Sequence, residues 1–385
     1  VLIFEGRGYA LTHADLLAAM GDGAAGPQTL LADHAFDYIG SDTSGVGDIY
    51  HGRDGDDTIL GGRSDDTFSG GLAPLPGTAV LPNDGDDYVN GGDGHDHILI
   101  GGGRDTLLGG NGVDTLVINL SGYDANAFSL DYDLAIGVGQ ISTIAGMKDS
   151  LSGFENILMS SSGAGDFNAK LTGNDAANQI EALDGNDTLI GGDGNDTLIS
   201  GGGDDSVGGG VGHDIILADA GENTLRGGIG NDIISGGMNG DYIDGGDDAD
   251  ALSGGAGNDT LIGGAGRDTI LAGAGNDIIT SDLGNDVLVF QAGDGADSIT
   301  DFDPATDRLD FSAYGITVSS LADIPVVKSG EDLVLQFAGG DSLRLIGLSL
   351  ADTEFITVLA SDGLGQLRVP LTIIGSSAPE LLIGD

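Results

Sequence analysis

Between residues 178 and 288 the chain repeats itself every nine residues without a slip. Stepping by nine from Asp196 reaches Asp205, Asp214, Asn223, Asp232, Asp241, Asp250, Asp259, Asp268, Asp277 and Asp286 in one direction, and Asp187 and Asn178 in the other. Eleven of these thirteen positions are Asp, and the residue two places on is aliphatic in all thirteen, from Ile180 to Leu288. A shorter array obeys the same rule. It begins with Asp57 and Asp66, breaks at GLAPLPGTAVLPN (71–83), and resumes with Asp87, Asp96, Asp105 and Asp114. Asp48, followed by Tyr50, reads as a degenerate first copy. Self-similarity at so short a period marks a solenoid, in which each copy buries its apolar face against its neighbours.

Composition removes the competing explanations. Glycine numbers 73 of 385 residues, which suits collagen, disorder or a tightly turning solenoid. Collagen needs glycine at every third place and abundant proline, and there are 8 prolines. Disorder needs few apolar residues, yet 39% are hydrophobic and recur at fixed spacing. The formal charge is −50, from 12 basic and 62 acidic residues. That sign argues against nucleic acid and against anionic membranes as partners. Charge of this size also opposes a compact state, so a cation must compensate, and metal ions are the natural candidates. The absence of cysteine excludes disulfides and zinc-thiolate sites. No apolar run is long enough to cross a membrane. The opening VLIFEGRGYALTHADLLAAM has neither a basic leader nor an initiator Met, and reads as a processed chain or a cut piece.

The unit at 191–199, GGDGNDTLI, follows the pattern G-G-x-G-x-D-x-U-x. It resembles the RTX (repeats-in-toxin) calcium-binding repeat, most obviously over 48–117 and 173–300. The resemblance implies an all-β fold: a parallel β-roll solenoid with two short strands and two calcium turns per 18-residue coil, plus capping segments. Three residues suffice for each strand, its middle apolar side chain pointing inward. Six then form the turn, where glycine permits positive φ. Coils stack about 4.8 Å apart, so the long array spans roughly 30 Å. Calcium prefers six to eight oxygens and accepts backbone carbonyls, which such turns supply beside the carboxylates. The candidate ligands are Asp57, Asp66, Asp87, Asp96, Asp105, Asp114, Asp187, Asp196, Asp205, Asp214, Asp232, Asp241, Asp250, Asp259, Asp268, Asp277, Asp286 and Asp297. With them go the turn glycines Gly185, Gly191, Gly194, Gly203, Gly212, Gly254, Gly257, Gly263, Gly266 and Gly275.

An 18-residue coil places alternate repeats on the same edge. Asp187, Asp205, Asn223, Asp241, Asp259 and Asp277 should form one row; Asn178, Asp196, Asp214, Asp232, Asp250, Asp268 and Asp286 the other. Asn223 brings no charge, so its sites should be weak or empty. About a dozen calcium ions, one per repeat of the long array, would remove roughly half of the negative charge. Binding energy then becomes folding energy.

The remaining sequence divides around the arrays. Residues 1–44 read as an N-terminal cap or junction with a helix candidate at 12–20, N-capped by Thr12, and a strand candidate at 1–4 lacking an evident partner. Residues 45–117 form the first array and 118–172 a repeat-free β interruption, either solenoid without calcium sites or a separately folded insert. The main array covers 173–300. A C-terminal β cap follows at 301–360, and 361–385 read as a linker or junction. Residues 294–316 resemble the serralysin-type segment that ends many RTX rolls. Asp301, Asp303, Asp307 and Asp310 there are either one more irregular site or plain turn residues.

No H-E-x-x-H, G-x-S-x-G or Walker-type motif occurs, so the expectation is no enzyme. Some RTX adhesins bind ice through threonine at the third repeat position, but from Asp184 and Asp193 to Ile229 and Met238 that position holds none. The resemblance implies type I export from a Gram-negative bacterium and folding outside the cell. The expected role is a secreted, calcium-folded structural or surface building block, such as an S-layer, adhesin or filament unit, whose partners are calcium ions and further copies of itself. The alternative is a calcium-binding accessory domain of a larger secreted hydrolase or epimerase.

Overall fold

A computed structural model describes residues 86–100, 104–120, 130–135, 138–141, 149–160, 167–317, 320, 324–348 and 356–361, with short strands at 2–3, 29–31, 38–39, 49–51, 58–60, 67–69 and 363–367. Asp48, Asp57, Asp66, the helix candidate at 12–20 and the break at 71–83 lie outside the described residues. Two compact units divide the chain, Val1–Gly201 and Gly202–Asp385.

Each unit is a parallel β-solenoid, and the apolar slot of the repeat is its core. In the second unit Val207, Leu225, Ile243, Leu261 and Ile279 pair across neighbouring strands of one sheet at 18-residue steps, and Ile299 extends the stack. Ile216, Ile234, Leu252, Ile270 and Leu288 do the same in the other sheet, and Leu309 and Val358 extend that stack at longer steps. All of these side chains are buried. The first unit stacks Phe68, Ile98, Leu116, Ile157, Ile180 and Leu198 in the same way. Only alternate strand residues face inward, so one aliphatic per repeat is enough to build the core.

The strands are longer than the sequence suggests. Thr224–Ile229, Ile233–Met238, Tyr242–Asp247 and Ala251–Ala256 each span six residues and run through the glycine pair. Gly228, Gly246 and Gly264 pair in register like any strand residues. The turn proper therefore shrinks to about half its expected length. The second glycine allows this. Gly228 has φ of 120°, a conformation that only glycine adopts without strain, and a Cβ there would collide with the Gly210 carbonyl of the preceding coil.

Outside the repeats the solenoid acquires antiparallel pieces. Leu130–Asp133 pairs antiparallel with Val138–Ile141, and parallel with Ala169–Thr172. Asp149–Ser152 and Asn156–Ser160 stack parallel on Thr106–Leu108 and Thr115–Asn119, so the coil continues through part of the repeat-free interruption. Leu2–Ile3 does have a partner, since Leu2 pairs with Leu30 and Ile3 with Leu31. In the second unit, Val326–Ser329, Asp332–Gln336 and Ser342–Leu345 form an antiparallel meander joined to the roll through Ala296–Ile299. Phe311 packs against Phe290, Tyr314 and Phe337 beside it. The only helix among the described residues is one 3-10 turn, Ser312–Tyr314. No helix among them is long and apolar enough to cross a membrane.

Candidate metal centre

The repeat aspartates form ladders along the coil edges. In the second unit the backbone N–H of Asp214 donates to Asp232 Oδ1 at 2.8 Å, Asp232 to Asp250 at 2.8 Å, Asp250 to Asp268 at 2.9 Å and Asp268 to Asp286 at 2.9 Å. The other row runs from Asp205 to Asn223, Asp241, Asp259 and Asp277 through the same bond. Asp277 then donates to Asp297 Oδ1 at 3.0 Å, which puts Asp297 on the ladder although it breaks the nine-residue step. The first unit repeats the pattern from Asp87 to Asp105, from Asp96 to Asp114 and from Asn178 to Asp196. There Asp187 accepts the Ala169 N–H. Within the unbroken repeats of each unit, then, partners lie eighteen residues apart.

A second ladder runs in the opposite sense through the residue before each aspartate. Asn231 Oδ1 accepts the Ala249 N–H, Asn258 the Asn276 N–H and Asp204 the Glu222 N–H. His213 Nδ1 accepts the Asn231 N–H at 2.7 Å and His95 Nδ1 the Val113 N–H at 2.8 Å. This explains the residue types at that place: Asn, Asp and His each carry an acceptor at the same short reach. The turns at His95, Asp204, His213, Asn231 and Asn258 are thus clamped from both sides before any metal is considered.

The other carboxylate oxygen is what the ladders leave over. Oδ2 of Asp232, Asp241, Asp250, Asp259, Asp268, Asp277 and Asp286 is buried and has no hydrogen-bond partner. Its surroundings follow from the first glycine of each pair. A Cβ on Gly263 would lie 2.8 Å from Asp268 Oδ2 and 2.8 Å from the Ser281 carbonyl oxygen. On Gly227 it would collide with Asp232 Oδ2 and the Gly245 carbonyl, and on Gly254 with Asp259 Oδ2 and the Ala272 carbonyl. At these steps, and likewise at Asp241 and Asp250, a carboxylate oxygen without a donor lies close to a carbonyl of the next coil. Two acceptors that face each other in a buried space call for a cation.

Burial pushes these carboxyls up. Asp241, Asp250 and Asp297 rise to about 7, and Asp232, Asp277 and Asp286 to about 6. Desolvation is the main cause. The N–H of the preceding coil pulls in the other direction, and neighbouring carboxylates push further up. Without a metal the ladder therefore favours protons. The donor set suits calcium, being hard oxygens from carboxylates and carbonyls of adjacent coils. Among the described residues no three acidic or histidine side chains converge on one point, so these positions depend on the backbone for most of their oxygens.

The predicted glycines sort into two places. Gly191, Gly254 and Gly263 are the first of their pairs, and Gly191 turns its carbonyl toward Asn178. Gly185, Gly194, Gly203, Gly212, Gly257, Gly266 and Gly275 stand two residues before their aspartates, where coils approach closely; a Cβ on Gly275 would overlap the Gly257 carbonyl. Asp149, Glu155 and Asp307 are ladder members that the period does not mark. Asp149 Oδ1 accepts the Asp105 N–H at 3.0 Å, Glu155 Oε2 the Asp114 N–H at 2.8 Å, and Asp307 Oδ1 the Asp286 N–H at 3.4 Å. Their sequence separations, 44, 41 and 21 residues, are why a nine-residue step passes them by. An acidic residue at or just before the start of the following strand was the only signal available.

Fold and site together define a class, the parallel β-solenoid whose edges carry rows of buried carboxylates facing backbone carbonyls. The family model of the RTX calcium-binding nonapeptide repeat (4 copies) matches residues 42–72, 82–116, 172–207, 208–242, 239–261 and 253–288. The chain belongs to the RTX-repeat proteins and is a calcium-binding β-roll protein. No curated protein matches it in sequence. Among solved structures, it is similar to the AlgE6R3 subunit of the Azotobacter vinelandii mannuronan C5-epimerase, at 25% identity and TM-score 0.26 over 38% of this chain and 87% of that one. It is similar to a hyperactive, Ca2+-dependent, β-helical antifreeze protein from an Antarctic bacterium, at 18% identity and TM-score 0.37 over 88% and 93%. Similarity to the extracellular lipase LipA of Serratia marcescens is 19% identity and TM-score 0.22, over 80% of this chain and 38% of the lipase.

Proposed function

We propose that the chain is a secreted structural or surface building block that calcium folds outside the cell, and that it is not itself an enzyme. The observation that supports this reading is the buried, partnerless Oδ2 atoms of Asp232, Asp241, Asp250, Asp259 and Asp268, each beside a carbonyl of the next coil. Such a fold needs many cations along its whole length, which suits a part whose task is to become rigid once calcium is abundant. In the low calcium of a cytosol the carboxylates repel one another, and a glycine-rich backbone has much entropy to lose. An unfolded chain is the form a secretion channel can pass. Calcium, when bound, supplies the positive charge; the chain's own residues supply the clamps that fix each turn. The described carboxylates are occupied by this architecture, and the sequence carries no catalytic motif. The test is a calcium titration followed by circular dichroism and by light scattering or electron microscopy. The reading expects a β-rich signal to appear together with sheets or fibres. A calcium form that stays a monodisperse monomer at high concentration would refute the building-block role.

A further inference from the structure

Asn223 interrupts a row of aspartates, and its side chain holds the same pose with a nitrogen where theirs have Oδ2. Its Oδ1 accepts the Asp205 N–H at 3.0 Å, and its own N–H donates to Asp241 Oδ1 at 2.8 Å, so the ladder passes through it unbroken. Its second polar atom is a donor. Nδ2 donates to the Gly236 carbonyl at 3.4 Å and to the Gly221 carbonyl at 3.4 Å. The Gly236 carbonyl lies thirteen residues on, the same step that separates Asp232 from the Gly245 carbonyl and Asp259 from Ala272. At the aspartate steps oxygen faces oxygen. At this step a donor faces the oxygen.

We propose that the step between Asn223 and Gly236 is a metal-free coupling built into an otherwise calcium-holding row. The amide does locally what a cation does elsewhere: it puts an N–H hydrogen between the side chain and the carbonyl of the next coil, without adding charge. The two edges of the second unit are then unequal. The row from Asp214 to Asp286 has an aspartate at every step, whereas the row from Asp205 to Asp277 is divided after its first member. Asn178 differs again. Its Oδ1, which accepts the Asn174 N–H at 2.8 Å, stands where a Cβ on Gly173 would meet both it and the Gly191 carbonyl, so it retains an oxygen in the facing position. The inference therefore belongs to Asn223 and not to asparagine at this place in general. It rests on the calcium reading of the rows.

Calcium stoichiometry is the test. The full chain and its Asn223→Asp and Asp259→Asn variants are folded in calcium, dialysed, checked by circular dichroism, and their bound calcium counted by native mass spectrometry. Asn223→Asp should gain one ion, because it restores two facing acceptors. Asp259→Asn should lose one, because it creates a second coupling of the Asn223 kind. An unchanged count in a folded Asn223→Asp chain overturns the proposal. If that variant does not fold, an unchanged count in Asp259→Asn overturns it instead. Should the unaltered chain hold no calcium, the reading of the whole rows fails and not only this step.

Discussion

Stripping calcium with EGTA should leave acidity to decide whether this chain folds. A rise from 3.8 to about 7, as at Asp250, corresponds to about 4 kcal/mol between the two protonation states. Asp241 and Asp297 rise as far, and Asp232, Asp277 and Asp286 to about 6. In the unfolded chain these groups release their protons near pH 4. Between about pH 4 and pH 7 the folded chain thus binds more protons, and its stability falls as pH rises through that window. Whole domains are held by about 5–15 kcal/mol, so two or three such groups suffice to unfold the metal-free chain at neutral pH. Neighbours on one ladder titrate together, which should sharpen the transition. The assay is far-ultraviolet circular dichroism in EGTA from pH 5 to pH 8, with thermal melts at each point. The expected outcome is a β-rich signal at pH 5 that is lost by pH 7.5 and restored there by calcium. Calcium should add little to the melting temperature at pH 5, where protons compete for the same oxygens. A metal-free chain that is folded at pH 7.5, or that melts at lower temperature at pH 5 than at pH 7.5, would mean that protons on these carboxyls do not hold the metal-free fold.

Three substitutions test the same architecture from other sides. Asp250→Asn removes a buried charge that needs either a proton or a cation. It should raise the pH at which the EGTA-treated chain loses its β-rich signal, and destabilise the calcium form in urea titrations. Gly228→Ala puts a Cβ against the Gly210 carbonyl at a φ of 120°, and should cost at least about 1–3 kcal/mol. Gly208→Ala, which meets nothing within 4 Å, should be neutral or stabilise by up to about 1 kcal/mol, and serves as its control. Leu261→Ala, in a fully buried slot paired to Ile243 and Ile279, should cost about 2–5 kcal/mol and lower the calcium-form melting temperature.

Much of this protein is local, and what is local can be read from its sequence. A coil closes in eighteen residues, so each apolar slot and each ladder aspartate has its partner at a fixed step along the chain. That is why Leu261 and Asp259 can be assigned to the core and to an edge row from the period alone. The conversion of the glycine pair into strand was not legible, because it depends on the Gly210 carbonyl of the coil below and not on the spacing. Nor were Asp149 and Glu155, whose partners lie 44 and 41 residues away across a stretch with no period. The sequence places Asn223 in the row and marks it as uncharged. Only the tertiary structure turns its amide nitrogen toward Gly236, since that choice is made by which carbonyl the next coil presents. The period, the core and the rows follow from which residues recur every nine places. The contacts between coils determined which oxygens in those rows are left facing each other for calcium.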